Sequence, residues 1–181
     1  MTSDRQAVFS SPLLVDRIPD QGTSGRIVVQ EDERQAMAKI MDVQAVHGLA
    51  FDFEVKPIGK GRYRVKGRLE ASVTQTCVVT LEPLDRQVVE DVDLEFWPET
   101  ELASLSETDL EKTFDPDRDD PEAIRDGVID LGVVAYETLA TGLDPYPRKP
   151  DAAFEWNGDE MSGEEAPDPG PFDVLRTLKP D

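Results

Sequence analysis

Three runs of strict alternation constrain this chain more than any other feature. Leu49, Phe51, Phe53 and Val55 alternate with Ala50, Asp52, Glu54 and Lys56. Tyr63, Val65, Gly67, Leu69, Ala71 and Val73 alternate with Arg62, Arg64, Lys66, Arg68, Glu70 and Ser72. Val88, Val92, Leu94 and Phe96 alternate with Val89, Asp91, Asp93 and Glu95. A period of two places one set on a core face and the other toward solvent, as in half-buried antiparallel strands. Pro57-Ile58-Gly59-Lys60-Gly61 reads as the turn between the first two runs, and Leu81-Glu82-Pro83-Leu84-Asp85 as the link between the second and third. A three-stranded meander is the expectation.

The flanks add smaller elements. Residues 8–19 contain a short strand in which Pro12 and Pro19 are confined to an edge or to the strand's ends. Asp20 to Gly25 reads as a turn and Arg26 to Gln30 as a strand, so the two strands are expected to pair as an N-terminal hairpin. Residues 31–42 read as a helix with acids in its first turn, where they complement the helix dipole, and with Ala36, Met37, Ile40 and Met41 on one apolar face. Residues 130–141 read as a second helix, with Asp130 as N-cap, Leu131, Val134, Ala135 and Leu139 on one face, and Gly142 as the stop. Residues 144–150 form a proline-stiffened exit. The expected fold is α+β: a mainly antiparallel sheet or partial barrel, made of the N-terminal hairpin and the meander, with two packed helices. One domain is expected over residues 1–156, including an acidic loop at 99–122. An acidic tail follows at 157–181. Within it, 157–171 is expected to be disordered, and Phe172, Leu175 and Leu178 form a short apolar segment.

Charge and scarce residue types narrow the function. The 181-residue chain has a formal net charge of -20. Residues 1–100 hold 12 Lys+Arg and 17 Asp+Glu, whereas residues 101–181 hold 7 and 22. Such a surface repels nucleic acid at long range and attracts basic partners. A single cysteine, Cys77, excludes an intramolecular disulfide, and with the single His47 it cannot supply the four ligands of a structural zinc site. A reducing, cytoplasmic setting is the expectation. The first residues lack the pattern of a secretory signal, and no run approaches a membrane span. No phosphate-binding glycine loop, nucleophile elbow or zinc-protease motif occurs, and His47 is read as a linking residue. No catalytic residue, metal or cofactor is expected. Asp115/Asp117 and Asp119/Asp120 lack EF-hand spacing, so a metal-dependent hydrolase is the weakest alternative.

One basic stretch stands out. Arg62, Arg64, Lys66 and Arg68 share parity and project from one sheet face, with Lys56 and Lys60 nearby. They fit either a phosphate-contacting stripe or a solvent face neutralised across the strands. Asp91, Asp93 and Glu95 on the next strand, with Asp52 and Glu54 on the previous one, favour neutralisation. Cys77 shares parity with Val73, Val79 and Leu81 and is expected to be buried beside them.

Three segments together resemble the YceD family, a bacterial and plastid group. They are Glu31 to Ile40; Gly67 to Pro83, which holds Gln75, Cys77 and Glu82; and Ile129-Asp130-Leu131-Gly132 with Glu137 and the Pro145-Tyr146-Pro147-Arg148-Lys149-Pro150 run. The resemblance spans about residues 8–156. It marks Gly67, Gln75, Cys77, Glu82, Pro83, Asp130, Leu131, Tyr146 and Pro147 as motif positions. It implies a role in accumulating or processing large-subunit (23S) ribosomal RNA, and co-occurrence with a small ribosomal protein of that subunit. The implied partners are therefore a basic large-subunit ribosomal protein, ribosomal RNA, or both. Relatives often carry a second cysteine soon after the first, where this chain has Val78-Val79-Thr80. A thiol-pair or metal role is accordingly not expected here.

Overall fold

A computed structural model describes residues 9–104 and 120–153. The three alternating runs become three long strands: β3 (Ala45–Gly59), β4 (Arg62–Thr76) and β5 (Pro83–Pro98). Adjacent strands are antiparallel, with Phe51 opposite Leu69, and Gly67 opposite Val92. Lys60 and Gly61 both have positive φ, 55° and 72°, so a two-residue turn joins β3 to β4. That turn geometry matches the right-handed twist of paired strands.

The meander is extended on both sides. β2 (Thr23–Val28) pairs antiparallel with β3, and β6 (Glu122–Ile124) runs parallel to β5. The result is a mainly antiparallel, five-stranded mixed sheet in the order β2-β3-β4-β5-β6, with no closed barrel among the described residues. The expected N-terminal hairpin does not form. β1 (Pro12–Leu14) pairs instead with β7 (Val128–Asp130) in a separate two-stranded sheet. A 3-10 turn at Val15–Arg17 leads the chain away from β1, and β2 has its partner in β3. The N-terminal strand is thus tied to a segment more than 100 residues distant, which local turn signals do not report.

Two helices cover the inner face: α1 (Glu31–Ile40) and α3 (Leu131–Gly142). A single-turn helix, α2 (Glu99–Leu102), follows β5. The core joins Leu49, Phe51 and Val55 of β3 to Val65, Leu69 and Val73 of β4 and to Val88, Val92 and Phe96 of β5. Met37 and Ala38 cap it from α1, and Leu131, Val134, Ala135 and Leu139 from α3. The α3 face is as expected; the helix runs through Gly142 rather than stopping before it. On α1 the face is rotated. Ala38 is buried and Ile40 is 59% exposed, because the helix ends at Ile40 and Asp42 turns out with φ 54°. His47 lies within β3, not in a linker, at an irregularity in the pairing with β4. Its Nε2 sits 2.7 Å from Thr74 Oγ1.

Gly67 is an inward position without a side chain, and the Phe51 ring occupies the space. A Cβ built on Gly67 would lie 2.5 Å from Phe51 Cε2 and 2.5 Å from the Asp52 carbonyl oxygen. An aromatic ring over a strand glycine supplies the packing that glycine lacks. Of the acidic loop expected over 99–122, residues 99–102 form α2 and Glu122 opens β6, while residues 105–119, and the tail with Phe172, Leu175 and Leu178, lie outside the described residues.

Two stability predictions follow from this packing. Leu69 is fully buried, so Leu69→Ala is expected to lower unfolding free energy by about 2–5 kcal/mol in chemical denaturation. Gly67→Ala forces apart Phe51 and a backbone carbonyl, and is expected to destabilise by about 1–3 kcal/mol or more. An unchanged denaturation midpoint for either would refute the inward assignment of β4.

Candidate functional site

The four basic residues of β4 lie on the outer sheet face, as their parity requires, and each has a carboxylate partner. Arg64 makes a two-pronged contact with Asp93, its Nε and a terminal nitrogen 2.6 and 2.8 Å from the two oxygens. Lys66 reaches the same Asp93 at 3.2 Å. Arg68 lies between Asp91 at 3.1 Å and Glu70 at 3.4 Å. Arg62 donates to Glu101 of α2, with Nε 3.1 Å from one oxygen, and its guanidinium stacks 3.6 Å over the Trp97 ring. On the far side of β3, Arg26 pairs with Asp52 at 2.9 Å. The hydrogen bond from Arg64 holds the Asp93 carboxyl below the usual carboxylate range, and that from Arg62 does the same for Glu101. Individual exposed pairs contribute only about 0–1 kcal/mol. Their effect is on the field: the stripe offers no uncompensated row of cations.

A second cluster gathers motif residues from the two ends of the matched pattern. β4 ends at Thr76, and residues 77–82 form a loop against the exit segment 144–150. The Cys77 N–H donates to the Glu82 carbonyl, and the Leu81 N–H to the Cys77 carbonyl, each at 2.9 Å. The Val78 N–H donates to the Pro147 carbonyl at 2.9 Å. Gln75, buried on the inward side, donates from Nε2 to the Asp144 carbonyl at 2.9 Å. Lys149 Nζ meets Glu82 Oε2 at 2.7 Å, which lowers the Glu82 carboxyl from its ordinary value. Arg86 meets Asp144 at 2.5 Å. Gln75, Cys77, Glu82 and Pro147 are thus one strap that closes the sheet end against the segment leaving α3. Asp144, Lys149 and Arg86 complete it. Pattern reading does not single out Asp144 or Arg86, and it places Lys149 only within the proline-rich run; a polar Gln75 at an inward position is the available hint.

Strand parity fails beyond Thr76. Leu81, expected inward, is 75% exposed with φ 58°, because the chain has left the pleat and turned. Tyr146 is 72% exposed, and Val78 is also exposed. Cys77 is fully buried, as expected, but it is more than a small hydrophobe. Its Sγ lies 3.5 Å from the amide nitrogens of both Thr80 and Lys149. The Thr80 side chain, with the Thr80, Lys149 and Val79 amides, draws the thiol down to about 6 against the opposing effect of burial.

Asp130 and Leu131 belong to a third place. Asp130 Oδ1 accepts from the amides of Gly132 and Val133 at 2.9 and 3.3 Å, the N-cap expected of it. The same carboxylate accepts from the Ser11 amide at 2.8 Å and the Ser10 hydroxyl at 2.6 Å, which ties β1 to the start of α3. Twelve helical residues separate it from the strap, about 18 Å. Arg68 and Gln75 stand seven strand residues apart, about 23 Å. The structure therefore brings Gln75, Cys77, Glu82, Pro83, Tyr146 and Pro147 to one end of the sheet. The basic residues, Gly67 and the Asp130–Leu131 pair stay elsewhere. Among the described residues no group of three or more His, Cys, Asp or Glu is placed to hold a metal, and no helix is long and apolar enough to cross a membrane.

The thiol supplies a pH test. Its folded value lies below that of an unfolded thiol, so the thiolate contribution is complete above about pH 8.5 and is lost as pH falls through about 6. Cys77→Ala removes it. The gap in Tm between the wild type and Cys77→Ala is expected to widen as pH rises from 6 to about 9. A constant gap across thermal melts in that range would leave Cys77 a packing residue alone.

No curated protein and no solved structure is detectably similar to the chain. A family model described as "Large ribosomal RNA subunit accumulation protein YceD" matches residues 65–179, well over half of the sequence. The matched span starts in β4, includes both the Gly67–Pro83 segment and the Asp130–Pro150 elements, and extends past residue 156. It leaves out α1, Arg62 and Arg64. With the strap and the Asp130 cap inside the matched span, the chain belongs to the YceD family of large ribosomal RNA subunit accumulation proteins.

Proposed function

We propose that this protein is a non-enzymatic accessory factor in large-subunit assembly. In this reading it works in the cytoplasm and supports 23S rRNA accumulation or processing by holding a basic ribosomal protein of that subunit. The family description supports the ribosomal RNA end of the reading. The observation that carries the partner class is the neutralisation of the basic stripe: Arg62, Arg64, Lys66 and Arg68 each meet a carboxylate, in a chain of net charge -20. A polyanion approaching this face meets a balanced surface and an unfavourable overall field, whereas a basic protein meets a favourable one.

Direct RNA binding through the stripe is the second reading. It is favoured by the exposure of Lys66 and Arg68, whose side chains are each more than half accessible. Weak exposed ion pairs exchange readily for phosphate contacts.

The two readings predict opposite mutant rankings. If a basic protein is the ligand, affinity falls with added salt, since exposed charges are screened within about 8 Å at physiological ionic strength. Replacing acids within 99–122 by Gln or Asn then weakens the complex more than changing Arg62, Arg64, Lys66 and Arg68 to Gln. If RNA is the ligand, the order reverses, and losing four phosphate contacts flattens the salt slope by nearly one unit per contact on a duplex. Titrating both variants against ribosomal RNA fragments and purified large-subunit proteins at two salt concentrations decides between them. Loss of RNA binding by the Gln variant alone would overturn the preferred reading.

A further inference from the structure

A cleft of about 240 Å³ opens between β5, β6, β7 and α3, on the side of the sheet away from the basic stripe. Its wall is apolar: Leu94 and Phe96 from β5, Val128 from β7 and Val133 from α3. Its rim carries Glu122 of β6 and Glu137 of α3, both exposed. Two further charged groups line it, and both are engaged. Asp130 is held by four hydrogen-bond donors, and Arg125 lies 3.6 Å from Glu99. The Glu122 and Glu137 carboxylates make no ion pair or hydrogen bond among the described residues, the Glu137 backbone carbonyl alone accepting from the Thr141 hydroxyl. This contrasts with the stripe face, where carboxylates are already matched by cations.

The size and chemistry define what fits. The volume is below the roughly 300–1,000 Å³ usual for small-molecule sites, and the site lacks the convergent donors such sites use. It suits one or two side chains. Arg and Lys carry an apolar stem beneath a cationic head, the complement of an apolar wall with a carboxylate rim. β6 is also the edge of the five-stranded sheet among the described residues, and a sheet edge accepts an extended segment by main-chain hydrogen bonds. We propose that this cleft receives an extended basic segment of a protein partner, whose Arg or Lys stem lies on Leu94, Phe96 and Val133 and whose charge meets Glu122 and Glu137. The assignment rests on the partner class argued above and names the surface that would serve it.

The probe is a short synthetic peptide alternating Arg and Leu, titrated into the full chain with methyl NMR detection. Shifts are expected at Leu94, Val128 and Val133. A peptide alternating Arg and Ser, of equal charge, is expected to bind several-fold more weakly. Glu122→Gln with Glu137→Gln, both at exposed positions, should reduce affinity roughly three- to tenfold and weaken its salt dependence. Unchanged affinity in that double variant overturns the assignment. So do shifts confined to the stripe face, or equal competition by free diaminopentane. The wider reading is tested separately with purified large-subunit proteins. If one binds the wild type and the double variant equally, the cleft is wrong while the partner class stands. If the peptide fills the cleft but no ribosomal protein binds, the cleft stands and the wider reading falls.

Discussion

β4 is hydrogen-bonded to a neighbour on both sides along nearly its whole length, and the rest of the structure depends on that pairing. Its inward residues, Val65, Leu69, Ala71 and Val73, are all buried in the core that α3 and α1 cover, α3 packing on β4 and α1 on β3. Of its outward cations, Lys66 stands between Glu54 and Asp93 and Arg68 between Asp52 and Asp91 of the adjacent strands, while Arg64 pairs with Asp93 and Arg62 with Glu101 of α2. A one-residue slip of register would exchange the two faces, bringing Arg and Lys into the core and Leu69 into water. Phe51 over Gly67 helps to set the register, because only a glycine at that place admits the ring.

The two ends of the domain are closed by long-range polar contacts rather than by the core. At one end Asp130 serves both as helix cap and as anchor for Ser10 and Ser11. At the other, Gln75 and the Cys77 loop hold the segment that leaves α3. Helix α3 joins these two anchors across the sheet. Motif positions that lie far apart in sequence thereby acquire a shared structural meaning. They fasten the chain where it enters and leaves the β-layer.

Charge then separates two surfaces. The stripe face is internally balanced, so its ion pairs compete with any incoming phosphate. The cleft beside α3 combines an apolar wall with carboxylates that the described structure does not neutralise.

The amino-acid order by itself determined the three long strands, the inward residues and both principal helices. These follow from local periodicity, which backbone geometry imposes on every chain. It also determined that cations and acids would face one another, since parity alone places Arg64, Lys66 and Arg68 beside Asp91 and Asp93. Tertiary structure decided the rest. β1 left its sequence neighbour for β7 because the Asp130 carboxylate offered donors on Ser10 and Ser11 a partner that no local pattern encodes. Ile40 turned outward where α1 ended two residues short of its expected bound, and Leu81 where β4 had ended five residues before it. The strap ties residues 75–86 to residues 144–149, and the cleft joins β5 to residues 122–137, so their contacts exist only after the sheet has formed.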